Sequence, residues 1–171
     1  MTYFSGFCLR NESVLFTDWL VESEMAVAGF SYGAIRAFEH ALESQRRIDR
    51  LLLFSPAFFQ TRGDRYIDLQ LRAFRRDPEG YVATFLRRCA DPSGRDLGPY
   101  RAPGTARELE ELLRYRWEPT KLRALRERGT VVEVFIGDAD RIIDAEGAIA
   151  FFAPEVDALY RFRGAGHVLE K

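Results

Sequence analysis

Residues 25–33 read Met-Ala-Val-Ala-Gly-Phe-Ser-Tyr-Gly. Met25 to Ala28 is a short apolar run with the length of a buried strand. Gly29-Phe30-Ser31-Tyr32-Gly33 fits G-x-S-x-G, and behind it Ala34, Ile35, Ala37, Phe38, Ala41 and Leu42 recur at helical spacing. Strand, tight turn and helix in that order lift a serine hydroxyl clear of a sheet and aim the first amides of the helix at the same point. A turn this sharp brings strand end and helix start together, so a Cβ at Gly29 or Gly33 should collide with neighbouring backbone. An ordinary β-α turn capped by Ser31 is the plain alternative, but it leaves both glycines unexplained. Ser31 is therefore the candidate nucleophile.

Working outward, Thr2 to Ser5 reads as a first short strand ending at Gly6. Asn11 is placed to cap a helix running to about Glu22, with Leu15, Phe16, Trp19 and Leu20 on one face. After the Ser31 helix, Arg50-Leu51-Leu52-Leu53-Phe54-Ser55 is a strand, apolar almost throughout and stopped by Pro56. Val131 to Ile136 is another, ending at Gly137-Asp138-Ala139-Asp140. Glu146 to Phe152 reads as a short helix. Ala158 to Phe162 is a last strand whose alternation suits a sheet edge. Strands alternating with helices predict a parallel sheet covered on both faces.

Residues 57–128 interrupt that rhythm. Ile67, Leu71 and Phe74 share one helical face, with Arg65, Arg72 and Arg76 on the other. Asp77-Pro78-Glu79-Gly80 reads as a turn, and Tyr81, Val82, Phe85 and Leu86 open a helix ending in Arg87-Arg88. Residues 91–104 hold three prolines and three glycines and read as an exposed loop. A third helix runs from about Thr105 to Tyr115. Such an inserted helical block is expected to form a lid over a site.

A length of 171 residues suits one domain, here residues 1–171. With 47% hydrophobic and 30% charged residues the chain is globular rather than disordered. Charges interrupt every apolar run before membrane-spanning length, so no membrane partner is expected. Met-Thr-Tyr-Phe-Ser-Gly has no basic region followed by an apolar core, so no signal peptide is expected. Cys8 and Cys89 are too few for a disulfide framework or a metal knuckle, which fits a reducing cytoplasm. The net charge of −1 conceals an asymmetry. Residues 57–128 hold 16 Lys and Arg against 11 Asp and Glu, a balance of +5, and the remainder holds 9 against 15, or −6. A locally basic block on a near-neutral chain suits an acidic partner or substrate, or is simply a solvated helical surface, the reading preferred from the charges alone; no nucleic-acid partner is expected.

A serine hydroxyl needs a base within hydrogen-bond reach. The chain has two histidines. His40 lies on the helix after Ser31 and reads as a surface residue. His167 follows a strand in the glycine-rich run Gly164-Ala165-Gly166 and is left as the base. The base in turn needs a carboxylate. Asp138, Asp140 and Asp144 all follow the 131–136 strand. Asp140 is favoured, because Arg141-Ile142-Ile143 can anchor its loop, while Asp138 suits a turn and Asp144 a helix cap. Stabilising an oxyanion takes two amide donors. Tyr32, after the nucleophile, supplies one, and Phe7, after the first strand, is the candidate for the other. This chemistry calls for no cofactor and no metal.

Together these residues resemble the α/β-hydrolase family from end to end. The matching stretches are Ser5-Gly6-Phe7, Gly29-Phe30-Ser31-Tyr32-Gly33, Gly137-x-x-Asp140 and Gly166-His167, in the family's order of serine, acid and histidine. The resemblance implies a truncated fold of about five mostly parallel strands, with helices on both faces and an inserted helical lid. About 25 residues separate Gly6 from Ser31, where family members normally place a further strand. The His usual before the oxyanion glycine is replaced by Ser5, which removes a polar support behind that loop.

A narrower resemblance is to the short BioV-type pimeloyl-acyl carrier protein methyl ester esterases of biotin synthesis. It rests on Phe4-Ser5-Gly6-Phe7-Cys8, Ala28 to Ala34, Leu53-Phe54-Ser55-Pro56-Ala57-Phe58-Phe59 and Asp140-Arg141-Ile142-Ile143-Asp144-Ala145. It implies attack of Ser31 on the methyl ester of a pimeloyl chain borne by an acyl carrier protein. Acyl carrier proteins are acidic, so Arg65, Arg72, Arg75, Arg76, Arg87 and Arg88 become candidate docking residues. Phe74, Tyr81 and Phe85 either line an acyl channel or pack the lid, with packing preferred. The alternatives are a general short-chain carboxylesterase or thioesterase and, in another class, a binding module without catalysis.

Overall fold

Leu51, Leu52, Leu53 and Phe54 are wholly inaccessible to solvent, which places their strand at the middle of a sheet. Burying each side chain contributes on the order of 2 kcal/mol. The computed structural model describes residues 1–171. Its one sheet runs β1 (Thr2–Phe4), β2 (Ala26–Phe30), β3 (Arg50–Phe54), β4 (Val131–Gly137) and β5 (Ala158–Phe162), in that spatial order. Every neighbouring pair is parallel. β2 is buried at every position and β4 at all but Val131, as suits runs that are apolar save for Glu133, whose buried carboxylate pairs with Arg50. β5, with its alternating pattern, is an edge strand as expected.

The register lines up Phe30, Phe54 and Phe135 across three strands. Phe16 stacks on Phe54 with ring centroids 4.6 Å apart, and Trp19 lies edge-on to Phe162 at 5.1 Å. A second aromatic cluster joins helix α1 (Tyr32–Glu43) to α6 (Ala145–Phe152), through Phe38, Trp117 and Phe152. The sheet is thus covered on both faces.

Two local expectations are corrected. Residues 11–22 do not form a helix capped by Asn11. Asn11 has φ 60° and makes no capping bond, and only a 3-10 turn over Glu12–Phe16 follows. Ser13, Val14, Thr17 and Asp18 are poor helix formers, and Glu12, at the first position of the expected helix, is fully buried. Asp77-Pro78-Glu79-Gly80 is a helix start rather than a free turn. Pro78 opens α3 (Pro78–Cys89), and the Asp77 carboxylate accepts the Gly80 N–H at 2.9 Å, an arrangement proline at the first helical position favours. Residues 119–127, whose sequence carries no clear periodicity, form α5 (Pro119–Glu127), which packs on β4 and α1. Its mean hydropathy is low, yet Leu122 and Leu125 are fully buried.

The interrupting block otherwise holds α2 (Asp64–Arg76) and α4 (Ala106–Arg114). Both α3 and α4 pack on α2. Thr105 caps α4 reciprocally with Glu108, as a capping box should. No helix is long and apolar enough to cross a membrane.

Candidate active site

The turn at Ser31 is as tight as its glycines suggest. A Cβ on Gly29 would stand 2.8 Å from the Ala34 nitrogen and closer still to the Gly33 carbonyl. One on Gly33 would stand 2.5 Å from the Phe4 carbonyl carbon. Ser31 itself has φ 55° and ψ −114°, a strained conformation for a residue with a Cβ. Neighbouring strand ends hold it there. The Ser31 N–H donates to Phe54 O at 2.9 Å, and Ser31 O accepts from Ala34 and Ala57 at 3.1 Å each.

Three side chains from distant parts of the chain meet at this turn. Ser31 Oγ lies 2.9 Å from His167 Nε2, across 136 residues. His167 Nδ1 lies 2.6 Å from Asp140 Oδ2, across 27. A carboxylate can only accept, so Nδ1 carries the proton and Nε2 is free to accept from the serine hydroxyl. The histidine and aspartate side chains are fully buried, and Ser31 is only 4% exposed. The Asp140 carboxylate stands where it would stabilise the imidazolium formed when Nε2 takes the serine proton.

Supports around the three fix their orientation. Asp140 Oδ1 accepts the amides of Ile142 at 2.7 Å and Ile143 at 3.3 Å, which is the anchoring expected of Arg141-Ile142-Ile143. Asp138 instead accepts the Gly164 amide and pairs with Arg161. Those contacts, the amide first, hold its carboxyl below the ordinary carboxylate range. Asp144 caps α6 through the Gly147 amide. His40 is exposed and tilts against Phe4. Ser55, fully buried with φ 39°, donates its hydroxyl to His167 O at 2.6 Å. Sequence reasoning missed Ser55, since a serine before proline at a strand end carries no signal of its own.

The amides of Phe7 and Tyr32 donate to no group of the protein. Phe7 also borders a pocket of about 160 Å³ with Phe59, Tyr66, Tyr81, Phe85 and Ile142. Tyr81 and Phe85 therefore line a cavity rather than merely pack, whereas Phe74, 5% exposed, packs between Phe7 and Tyr81. Burial keeps the phenols of Tyr66 and Tyr81 protonated. Arg88 lies at the same pocket. It and Arg65, Arg72, Arg75, Arg76 and Arg87 are all exposed and in no ion pair. By contrast Arg101, Arg107 and Arg114 pair with Glu79, Glu111 and Glu110.

The fold is that of the α/β-hydrolases. An esterase from Exiguobacterium antarcticum superposes with a TM-score of 0.66 at 15% identity, over 83% of this chain and 59% of that one. A hydrolase from Oleispira antarctica gives 0.61 at 15%, over 84% and 58%. Carboxylesterase CesB from Bacillus subtilis gives 0.56 at 17%, over 92% and 57%. The chain thus spans less than two thirds of the length of these proteins. No protein-family model matches the sequence, and no curated protein matches it.

Proposed function

We propose that this chain is a serine carboxylic ester hydrolase. The observation that carries the reading is the continuous hydrogen-bonded chain Ser31–His167–Asp140. Ser31 Oγ attacks the ester carbonyl carbon as its proton passes to His167 Nε2. The carbonyl oxygen, now an anion, takes the amides of Phe7 and Tyr32. Collapse of the adduct breaks the bond to the alkoxy oxygen, which leaves as the alcohol with the proton from His167. Water then attacks the acyl-enzyme with His167 as base, releasing the carboxylic acid and restoring Ser31.

As substrate we propose the methyl ester of a pimeloyl chain carried on an acyl carrier protein, so that the products are methanol and the free pimeloyl carrier of biotin synthesis. Three features support it: the resemblance through Leu53 to Phe59 and Asp140 to Ala145, the apolar pocket beside Phe7, and six unpaired arginines on α2 and α3 facing solvent. An acidic carrier docking there is steered by charge.

The test compares a carrier-linked methyl ester with free dimethyl pimelate as salt is raised, and after Arg72→Glu with Arg76→Glu. Preference for the carrier-linked ester should shrink under both treatments. Equal loss on both esters would remove the carrier and leave a general short-chain carboxylesterase. Restored biotin-independent growth of a strain lacking its own pimeloyl esterase would support the biotin assignment, and no restoration by a soluble, active chain would contradict it.

A further inference from the structure

Glu12 is fully buried, and the mechanism above does not use it. Its Oε1 accepts the Gly6 N–H at 2.8 Å and the Tyr3 hydroxyl at 3.3 Å. Its Oε2 is the single buried side-chain polar atom with no partner. A carboxyl group in that state costs free energy, so its place calls for an explanation beyond packing. The left-handed Asn11 just before it turns the chain so that Glu12 reaches back beneath Gly6.

Gly6 precedes Phe7, whose amide is assigned above to the oxyanion. Glycine is the residue least able to hold its own dihedrals. Here it is gripped at both backbone groups. Glu12 holds its N–H, and its carbonyl accepts the Leu9 N–H at 3.1 Å. The Gly6 carbonyl and the Phe7 N–H belong to one planar peptide unit and point opposite ways. Fixing the carbonyl toward Leu9 therefore fixes the Phe7 N–H away from it, and Glu12 fixes the peptide on the other side. Outside, the loop is tied by Arg10 N to Tyr100 O and Ala102 N to Cys8 O, both 2.8 Å.

We infer that Glu12 is the positioning residue of the oxyanion loop, a carboxyl group holding the Gly6 amide so that the Phe7 amide is preset toward a developing oxyanion. This role rests on the ester hydrolase reading. It makes Glu12 matter to the transition state and not to substrate binding.

The experiment compares wild type, Glu12→Ala, Glu12→Asp and Glu12→Gln on p-nitrophenyl butyrate, with inhibition by an alkyl trifluoromethyl ketone, whose adduct is a tetrahedral oxyanion. Displacing one donor should lower kcat about 10- to 100-fold in Glu12→Ala, less than the full deletion of such a donor, with KM within about 2-fold. Ketone affinity should fall in step with kcat. Glu12→Gln keeps an acceptor for Gly6 and should recover most of the loss. Glu12→Asp, one methylene shorter, should behave like alanine, which gives a second reading should the alanine variant fail to fold. Folded alanine or aspartate variants with wild-type kcat and ketone affinity would overturn the role. So would a loss of kcat with unchanged ketone affinity, or a glutamine variant as impaired as alanine. Wild type that neither turns over esters nor binds the ketone would instead overturn the hydrolase reading itself.

Discussion

A Cβ on Gly33 would stand 2.5 Å from the carbonyl carbon of Phe4, so the first turn of α1 rests directly on the end of β1. That contact brings the serine turn and the Ser5–Leu9 loop to one rim. Both sides of it are backbone, which cannot swing aside. Gly33→Ala should destabilise the fold by about 3 kcal/mol, read as a lower urea midpoint at unchanged slope. Gly63→Ala, where nothing lies within 4 Å of the added atom, should change stability by about 0.5 kcal/mol or less.

Asp140→Asn should leave the fold intact while lowering kcat by about 10⁴. The asparagine oxygen can still accept from Ile142 and Ile143, as Asp140 Oδ1 does. Its NH₂ would then face His167 Nδ1 and drive the proton to Nε2, the nitrogen that must accept from Ser31. Steady-state rates with circular dichroism check both halves. Asp138→Asn and Asp144→Asn should leave kcat within about 3-fold, since their contacts are to turns and caps.

Ser55→Ala removes the hydroxyl that holds His167 O. Loss of one buried hydrogen bond should cost about 1–3 kcal/mol. Because the bond ties down the base, kcat should fall more than KM rises. A thermal melt and a Michaelis series on the same preparation separate the two effects.

Both cysteines are buried and free. Burial, reinforced by Glu108, pushes the Cys8 thiol from 9.0 up to about 12, and burial raises Cys89 as well. At pH 8 both stay protonated in the folded chain, so iodoacetamide should neither label the native protein nor inhibit it, and labelling should appear only on unfolding. Above pH about 9 the unfolded chain releases these protons and the folded one retains them. Stability is therefore flat with respect to the thiols below that pH and falls as pH rises toward about 12. Urea midpoints across pH 7–10 test the sign.

Much of the fold was legible because its signals are local. A strand, two glycines and an amphipathic helix around Ser31 define the turn, and the five strands were legible from short apolar runs at the centre of the sheet, alternation in β5 and the Thr2–Ser5 stretch ending at Gly6. Ser31 and His167 could be paired by elimination, since His40 sits on an exposed helical position. Asp140 could be favoured over Asp138 and Asp144 from its neighbours Arg141-Ile142-Ile143, but the bonds each carboxylate makes are tertiary information that only folding supplies. Glu12 looked like the first residue of a solvated helix, and only folding reveals its carboxyl beneath Gly6. Helix α5 was hidden by its charges, its apolar residues being too few to dominate a nine-residue window. Tyr81 and Phe85 have the spacing of packing residues, and nothing in their pattern tells a filled interface from a lined cavity.

The central claim is that Ser31 becomes covalently bonded during turnover. Intact-protein mass after reaction with an alkyl fluorophosphonate, followed by peptide mapping, tests it most directly. The expected result is one adduct per chain, on Ser31, with activity lost in proportion, and no adduct on a folded Ser31→Ala variant. A folded wild-type chain that hydrolyses p-nitrophenyl butyrate without acquiring the adduct, or a Ser31→Ala variant that hydrolyses it as fast, would contradict the account.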